Sequence, residues 1–386
     1  MNTKTLLTHH SRDSRLLLFL GIANWFLFLD HIPNNSVNLV TLRNFGFSGA
    51  ADVFIFISGY AAALAFAGIM LERGAIVGLT RVFRRAWQLY AAFIVLFAIY
   101  AVSIGDAAAR LAAPDIIYEF NVAGLLEDPV RTVTHGLLLQ SKALNLDVLQ
   151  IYVVLMACFP AVLWMMLREP DMTMAGSFGL YLAARQFGWN LPSFPDGSWY
   201  FNPFCWQVLF ILGAWCALGG ARRIRASFRS PLAVGFGIAY LLFALVIAMA
   251  GRFPALEQIL PAWLPDAFLP VDKTNLAPYR LLHFIVVALF ATRLIGKDRA
   301  GLNRPILRPL IICGEQSIAV FCAGVLLSFA GHFVLLTGSG SLIEQILVSV
   351  AGIAIMTVVA AYIAWSKRQD HPLPARLGRT ASLKAG

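Results

Sequence analysis

Long apolar segments recur along this chain of 386 residues and restrict it to few possible folds. Each has roughly 17–24 residues, and a membrane-spanning helix needs about 20 apolar residues at a rise of about 1.5 Å per residue. Hydrophobic residues make up 59% of the chain and charged residues only 13%, far from the balance of soluble domains. We therefore predict an all-α, polytopic transmembrane bundle of about ten helices. The predicted spans are residues 16–33, 47–71, 86–104, 146–167, 172–188, 204–219, 231–250, 277–293, 309–336 and 342–365.

The positive charges predict the orientation of this bundle. Ten spans place both termini on the same side of the membrane. Most of the 30 Lys and Arg residues fall in the short segments on that side. Cytoplasmic loops carry such an excess of positive residues, so we predict that both termini are cytoplasmic. We also predict a membrane domain over residues 1–366 and a disordered cytoplasmic tail over residues 367–386. The net charge of +10 then needs no nucleic-acid partner.

The five cysteines indicate neither a metal centre nor a disulfide framework. All of them lie within apolar runs, and the sequence has no CxxC motif and no Cys/His cluster. We interpret them as packing residues and predict no metal site.

Three ionisable side chains lie at one end of the first two predicted helices. Asp30 and His31 end the first apolar run, and Asp52 lies about one turn into the second. Such groups cost roughly 2.5–3.5 kcal/mol each in hydrocarbon, so they are usually functional or paired. The short turn over residues 33–46 makes the helices antiparallel neighbours, so we predict that His31 is a general base supported by Asp52. The alternatives are an interfacial histidine and an acid that favours a helix N-terminus.

Two further groups are candidates for function at other positions. Glu315 lies near the start of the ninth predicted helix, where we expect an acid to face the bundle interior, as a catalytic group or in a structural pair. Three arginines with helical spacing precede the third predicted helix and are candidates for binding donor phosphates. They are Arg81, Arg84 and Arg85. On the residues alone, topology and anionic lipid explain these arginines better.

Aromatic and amide side chains cluster at the outer end of the sixth predicted helix. Trp199, Asn202 and Trp206 are the main members of this cluster. Flat rings can cover the apolar faces of sugars while amides bond to their hydroxyls, so we predict a sugar platform. The alternative is an aromatic belt at the membrane interface.

Short motifs with a fixed order are spread along nearly the whole chain. They are Asp30-His31-Ile32-Pro33-Asn34-Asn35, Thr41-Leu42-Arg43-Asn44-Phe45-Gly46-Phe47-Ser48, Phe54-Ile55-Phe56-Ile57-Ser58-Gly59-Tyr60, Leu146-Asp147-Val148-Leu149 with Tyr152, Phe201-Asn202-Pro203-Phe204 with Trp206-Gln207, and Gly314-Glu315-Gln316-Ser317 through Val320-Phe321-Cys322. In content and order they resemble the OpgC family, membrane proteins that succinylate osmoregulated periplasmic glucans within the acyltransferase-3 superfamily. By position, His31 matches the superfamily's first-helix histidine and Asp52 its second-helix acid. Ser58-Gly59 match the superfamily's second-helix Ser-Gly, and Arg84 and Arg85 match its basic residues at the start of the third helix.

The resemblance implies a multi-pass O-acyltransferase of the bacterial inner membrane. Such an enzyme would transfer a succinyl group from an acyl-CoA such as succinyl-CoA to hydroxyls of a periplasmic glucan. The acyl-CoA is then a substrate, no tightly bound cofactor is expected, and the partners are membrane lipid and the glucan. The donor would bind at Arg81, Arg84 and Arg85, with His31, Asp52 and Glu315 as catalytic candidates. The acceptor would lie near Asp30, Asp147, Trp199, Asn202 and Trp206.

Two positions of the first apolar run depart from the superfamily's pattern, and one of them is Leu17, where the superfamily usually has an Asp. The arginine that usually precedes the histidine by eleven residues is Leu20 here, and Arg15 lies five residues further back, about 7.5 Å along a helix. A catalytically inactive relative is therefore one alternative. A transporter or flippase is another, since such proteins also have many spans and broken helices. Many transporters show internal repeats, and none is evident in this sequence.

Overall fold

The computed structural model describes residues 13–111, 127–141, 145–295, 299–302 and 304–369 of the chain. Its helices are α1 (Ser14–Asp30), α2 (Ala50–Arg73), α3 (Ala75–Leu111), α4 (Pro129–Leu137), α5 (Asp147–Arg168), α6 (Pro170–Phe187), α7 (Pro203–Trp215), α8 (Ala221–Ser227), α9 (Pro231–Ala250), α10 (Pro254–Glu257), α11 (Trp263–Phe268), α12 (Pro278–Leu294), α13 (Arg299–Leu302), α14 (Arg308–Glu315), α15 (Ser317–Thr337) and α16 (Leu342–Gln369). Short 3₁₀ turns cover Ser36–Val40, Leu42–Asn44 and Pro305–Leu307, and a π-helical segment, Cys216–Gly220, joins α7 to α8. In these residues β-pairing is limited to two isolated bridges, so the all-α prediction is confirmed.

Seven helices of the described chain are long and apolar enough to cross a membrane. They are α2, α3, α5, the α7–α8 unit, α9, α15 and α16. The other three predicted spans are also helices, α1, α6 and α12, with 17, 18 and 17 residues. The prediction of a helical membrane bundle is confirmed, whereas the count of ten spans and the side of the termini stay predictions.

The helices depart from the predicted spans mainly in three places. Gly74, with φ of 88°, makes a tight turn after α2, so α3 begins at Ala75 and includes the segment that we expected to be a loop. The predicted helix over residues 309–336 is interrupted at Gln316. α16 continues to Gln369, so the predicted tail is helical at its start, and its remainder, residues 370–386, lies outside the described residues.

The α2–α7 crossing brings two backbones into direct contact. A Cβ atom at Gly59 would lie 1.9 Å from the Phe210 carbonyl oxygen, and one at Gly213 would lie 2.0 Å from the Phe56 carbonyl oxygen. Each helix therefore needs glycine where the other passes, which is a common way for transmembrane helices to approach closely. The motif Ser58-Gly59 thus has a packing role in this bundle.

A second reciprocal contact joins α1 to α14. A Cβ atom at Gly21 would lie 1.9 Å from the Leu310 carbonyl oxygen, and one at Gly314 would lie 1.9 Å from the Leu17 carbonyl oxygen. This contact sets the level of α14 along α1, near the N-terminal end of that helix. We call the end of the bundle at Asp13 the inner end and the end at Asp30 the outer end.

Candidate functional site

The connection between α1 and α2 folds over the outer end of the bundle. The Asp30 carboxylate accepts a hydrogen bond of 2.7 Å from the Thr41 hydroxyl, and Arg43 Nε lies 3.4 Å from the same oxygen. The Asn44 amide donates to the Thr41 hydroxyl at 3.1 Å. Asp30 is therefore the anchor of this connection, and its carboxylate keeps the Arg43 guanidinium beside the end of α1.

His31 caps α1 and presents a partly exposed ring at the outer end. Its backbone N–H donates to the Leu27 carbonyl at 3.0 Å, and its carbonyl accepts from the Asn145 amide at 3.1 Å. The ring meets Phe321 edge to face, with centroids 6.5 Å apart. Among the described residues the imidazole has no hydrogen-bond partner, so both of its nitrogens are available to a substrate.

Asp52 pairs with Arg280 rather than with His31, which corrects the sequence prediction. Arg280 Nε lies 3.0 Å from one carboxylate oxygen and Nη2 lies 2.6 Å from the other. The Gly49 N–H also donates to Asp52 at 2.8 Å, and Arg280 Nη1 donates to the Phe47 carbonyl at 2.9 Å. Both charged groups are buried. This bidentate pair consumes the carboxylate, so Asp52 fixes the start of α2 instead of orienting the imidazole of His31.

A buried serine and histidine continue the same network. The Ser48 hydroxyl and His283 Nδ1 are 2.8 Å apart, and both residues are buried. A Cβ atom at Gly46 would lie 2.1 Å from His283 Nε2, so the chain passes directly over the ring. Phe47 packs against Tyr279 with ring centroids 4.9 Å apart. This enclosure makes His283 a support for the segment before α2.

The ionisable groups near the end of α1, which we call the charged rim, affect one another's pKa values. Burial lowers the pKa of the Lys273 ammonium below 10.5, and the positive charges of Arg280 and Arg43 lower it further, while Asp30 has the opposite effect. Burial also raises the pKa of Tyr200, as does the negative charge of Asp147. These mutual effects place the rim groups within electrostatic range of one another.

The predicted sugar platform is largely buried. The Asn202 amide donates to the Trp189 carbonyl at 2.6 Å and to Asn275, and Trp206 Nε1 donates to the Lys273 carbonyl at 2.9 Å. Asn202 and Trp206 are fully enclosed, and Trp199 is 5% exposed. This burial leaves these side chains little surface for an acceptor, and their direct contact with the acceptor stays a prediction. They support the loop that carries Tyr200, which is 46% exposed.

Glu315 lies far from this cluster. It is the last residue of α14, it is exposed, and its neighbour Gln316 accepts a hydrogen bond of 2.7 Å from Lys367. Gly314 packs at the level of Leu17, which is thirteen residues, about 20 Å along the helix, from the end of α1. The expectation that Glu315 faces the interior is wrong because the small residue before it, not the acid, meets α1.

An apolar cavity runs between α1, α2, α7 and α12. Its volume is about 350 Å³. At the inner end its lining includes Asp13, Arg15 and Arg225, and towards the outer end it reaches Leu42 and Ala50. We call this space the apolar cavity. It extends along α1 as far as Phe26, five residues before His31 and so about 7.5 Å short of it along the helix axis.

The predicted donor arginines lie on α3, outside this cavity. Arg81 and Arg84 are exposed, and Arg85 donates to Gln88 at 3.3 Å. None of the three is part of the cavity lining. Their position favours the alternative given above, that these arginines set the orientation of the chain in the membrane and contact anionic lipid.

Sequence reasoning missed Arg280 and Lys273 as parts of the site. Arg280 gave a usable signal, since an arginine in an apolar run should have a buried partner, and Asp52 is an acid at the same end of the bundle. Lys273 gave none, because a lysine in a loop with several prolines is ordinary.

Comparison with known proteins gives one match. Residues 12–368 match the family model described as OpgC protein. A search of curated proteins found no match, and neither did a search of solved structures. The matched range includes all the residues named above at the outer end and in the lining of the apolar cavity.

Proposed function

Because the chain belongs to the OpgC family, we propose that it is an O-acyltransferase that succinylates glucans at the outer face of a bacterial inner membrane. In this proposal succinyl-CoA is the cytoplasmic donor and glucan hydroxyls are the periplasmic acceptors. The observation that carries it is the His31 imidazole at the outer end, which has no hydrogen-bond partner among the described residues and packs on Phe321. The apolar cavity ends about 7.5 Å short of His31 along the axis of α1, so a thioester arm inside it would extend from the inner end towards the outer end.

In the proposed reaction His31 acts as a general base. It removes the proton from a glucan hydroxyl while the hydroxyl oxygen attacks the thioester carbonyl carbon. The new C–O ester bond forms, the C–S bond breaks, and the leaving thiolate takes the proton back from the imidazolium. Arg43 and Lys273 supply positive charge beside the end of α1, where it would favour the oxyanion and the free carboxylate of a succinyl group. The imidazole has no hydrogen-bond partner in the described part of the chain, which supports this role.

The test is mass spectrometry of periplasmic glucans from cells with the wild-type chain, without it, or with His31→Ala. We expect the succinyl substituent to disappear in the last two, since general-base catalysis is typically worth about 10²–10⁴-fold. His135→Ala is the matched control, because His135 also lies near the outer end but stacks on Phe194 at 4.3 Å. It should retain succinylation.

Wild-type succinylation in a membrane-inserted His31→Ala protein would exclude the proposed base. Glucans that are identical with and without the wild-type chain would instead indicate an inactive relative. Such a result would give the leucine at position 20, in place of the superfamily's arginine, a functional meaning.

A further inference from the structure

A second cavity at the inner end has four arginines among its described lining residues. Its volume is about 480 Å³. The described lining residues are Arg222, Arg225, Phe228, Arg229, Leu289, Thr292 and Arg293. We call it the arginine cavity. Among the described residues no Asp or Glu lines it, so it concentrates positive charge without an acid within its own walls.

The arginine cavity adjoins the apolar cavity. Arg225, Leu289 and Thr292 line both. A ligand that fills the two cavities together would therefore need an anionic group at the inner end and an uncharged arm that enters the bundle. A simple inorganic anion would occupy only the arginine cavity and leave the apolar cavity unfilled.

An irregular backbone segment puts the arginines in this place. Gly219 has a φ of 121° within the π-helical segment, a backbone conformation that residues other than glycine rarely adopt. A Cβ atom at Gly220 would lie 2.1 Å from the Trp215 ring, so this glycine is also required. The bend redirects α8 over the mouth of the apolar cavity. Such π-helical segments occur frequently at functional sites.

Positive-inside topology alone does not explain this convergence. The neighbouring Arg223 forms an ion pair with Asp171 and is not part of the lining. Arg81 and Arg84 on α3 are equally basic and exposed, but they line neither the apolar cavity nor the arginine cavity. Guanidinium groups that surround one space suit phosphate, which they bind with paired hydrogen bonds.

We infer that the arginine cavity binds phosphate groups, namely those of the nucleotide portion of the acyl donor, while the thioester arm occupies the apolar cavity. This inference rests on the proposed function for the identity of the donor. It moves the donor site from the α3 arginines to α8 and α12. Anionic lipid headgroups carry the same phosphate chemistry, so the experiment must distinguish the two sources.

The experiment measures coenzyme A binding by calorimetry with the full chain in phosphatidylcholine nanodiscs. The test variant is the double substitution Arg225→Gln with Arg229→Gln. The control removes the same charge outside the cavity, Arg304→Gln with Arg308→Gln, and both control residues are exposed. We expect the test variant to weaken binding by at least about tenfold, because charge-assisted hydrogen bonds are lost, and the control to change it less than about twofold. Thermal unfolding of each variant verifies that the chain is folded.

Two results would overturn the inference. One is unchanged coenzyme A affinity in the folded test variant, including the case in which Arg81→Gln with Arg84→Gln weakens coenzyme A binding instead. The other is a site for lipid. In that case wild-type protein would not bind coenzyme A in phosphatidylcholine, and native mass spectrometry would show retained phosphatidylglycerol that the test variant loses.

Coenzyme A binding needs neither the glucan nor the reaction at His31, so the two proposals can fail separately. Arginine-dependent binding together with wild-type succinylation in His31→Ala would exclude the proposed base and keep the phosphate site. Arginine-independent binding together with loss of succinylation in His31→Ala would do the reverse.

Discussion

Arginines at the two ends of the bundle have opposite surroundings. At the outer end Arg280 is buried, and its guanidinium bonds to Asp52 and to the Phe47 carbonyl. At the inner end Arg225 and Arg229 are exposed and line a cavity that has no acidic wall among the described residues. A buried ion pair is expensive to break, whereas exposed charges contribute little to stability. The difference separates an arginine that builds the site from arginines that are available to a ligand.

Breaking the outer pair should have the largest effect. Asp52→Ala leaves the Arg280 charge buried without its partner, which we expect to destabilise the protein by about 3–5 kcal/mol. Thermal unfolding in detergent, followed by tryptophan fluorescence, measures the change. The control is Asp106→Ala, which removes the acid of an exposed pair with Arg110 and should have little effect.

A rescue variant sharpens this prediction. Asp52→Leu combined with Arg280→Met removes both charges, and it should recover much of the lost stability because no unpaired charge stays buried. If Asp52→Ala unfolds at the wild-type temperature, the pair is not the structural element that we describe.

Sequence reasoning went far with the helices because membrane insertion leaves long, simple signals. Every predicted span is a helix in the described structure, and the break at Gln316 is the main departure. A hydropathy pattern averages over many residues, so it cannot detect a local change of backbone direction of this kind. The N-terminal extension of α3 was also missed, because the basic residues before its apolar run are not hydrophobic. A hydropathy pattern therefore does not show that the helix continues through them.

The candidate site was less predictable because it depends on which distant groups meet. The sequence indicated that Asp52 needs a partner, but sequence proximity suggested His31, whereas the partner is Arg280, far along the chain. Burial of Trp206 and Asn202 depends on the loop that carries Lys273, and no local pattern reports such a contact. The arginine cavity depends on the bend at Gly219, which leaves no periodic signal.

A smaller effect should follow from disturbing the crossing that joins the two ends. Gly59→Ala places a methyl group against the Phe210 carbonyl of α7, so we expect a loss of about 1–3 kcal/mol from overpacking. Gly68→Ala on the same helix is the matched control, because a Cβ atom there meets no atom within 4 Å. Thermal unfolding of both variants tests the difference. Equal stability of the two would mean that the α2–α7 contact is not close enough to constrain the bundle.

The inner arginines should contribute much less to stability. Arg225→Gln with Arg229→Gln should change the free energy of unfolding by no more than about 0.5 kcal/mol, since both side chains are exposed. The matching substitution at the outer end, Arg280→Gln, should cost several times more. Similar losses at the two ends, measured in the same detergent, would remove the contrast between a structural and a ligand-binding arginine.

The smallest expected effect is a pH dependence from Lys273. Its pKa lies below the ordinary 10.5, first because of burial and then because of Arg280. The unfolded chain therefore holds a proton that the folded protein releases at pH values between the lowered pKa and 10.5, and stability rises with pH across that window. Lys273→Met should flatten this rise, whereas Lys367→Met, at an exposed position, should not. Unfolding temperatures measured at several pH values up to about 10 provide the comparison, and equal slopes for wild type and Lys273→Met would contradict it.

In our proposal a donor held at the inner end is used at the outer end of the same bundle. Its most direct test uses purified protein in sealed vesicles, with succinyl-CoA trapped inside and glucan added only outside. We expect succinylated glucan outside, and we expect His31→Ala to abolish the product while Arg225→Gln with Arg229→Gln reduces it. Succinylation only when donor and glucan share the same compartment would contradict this proposal.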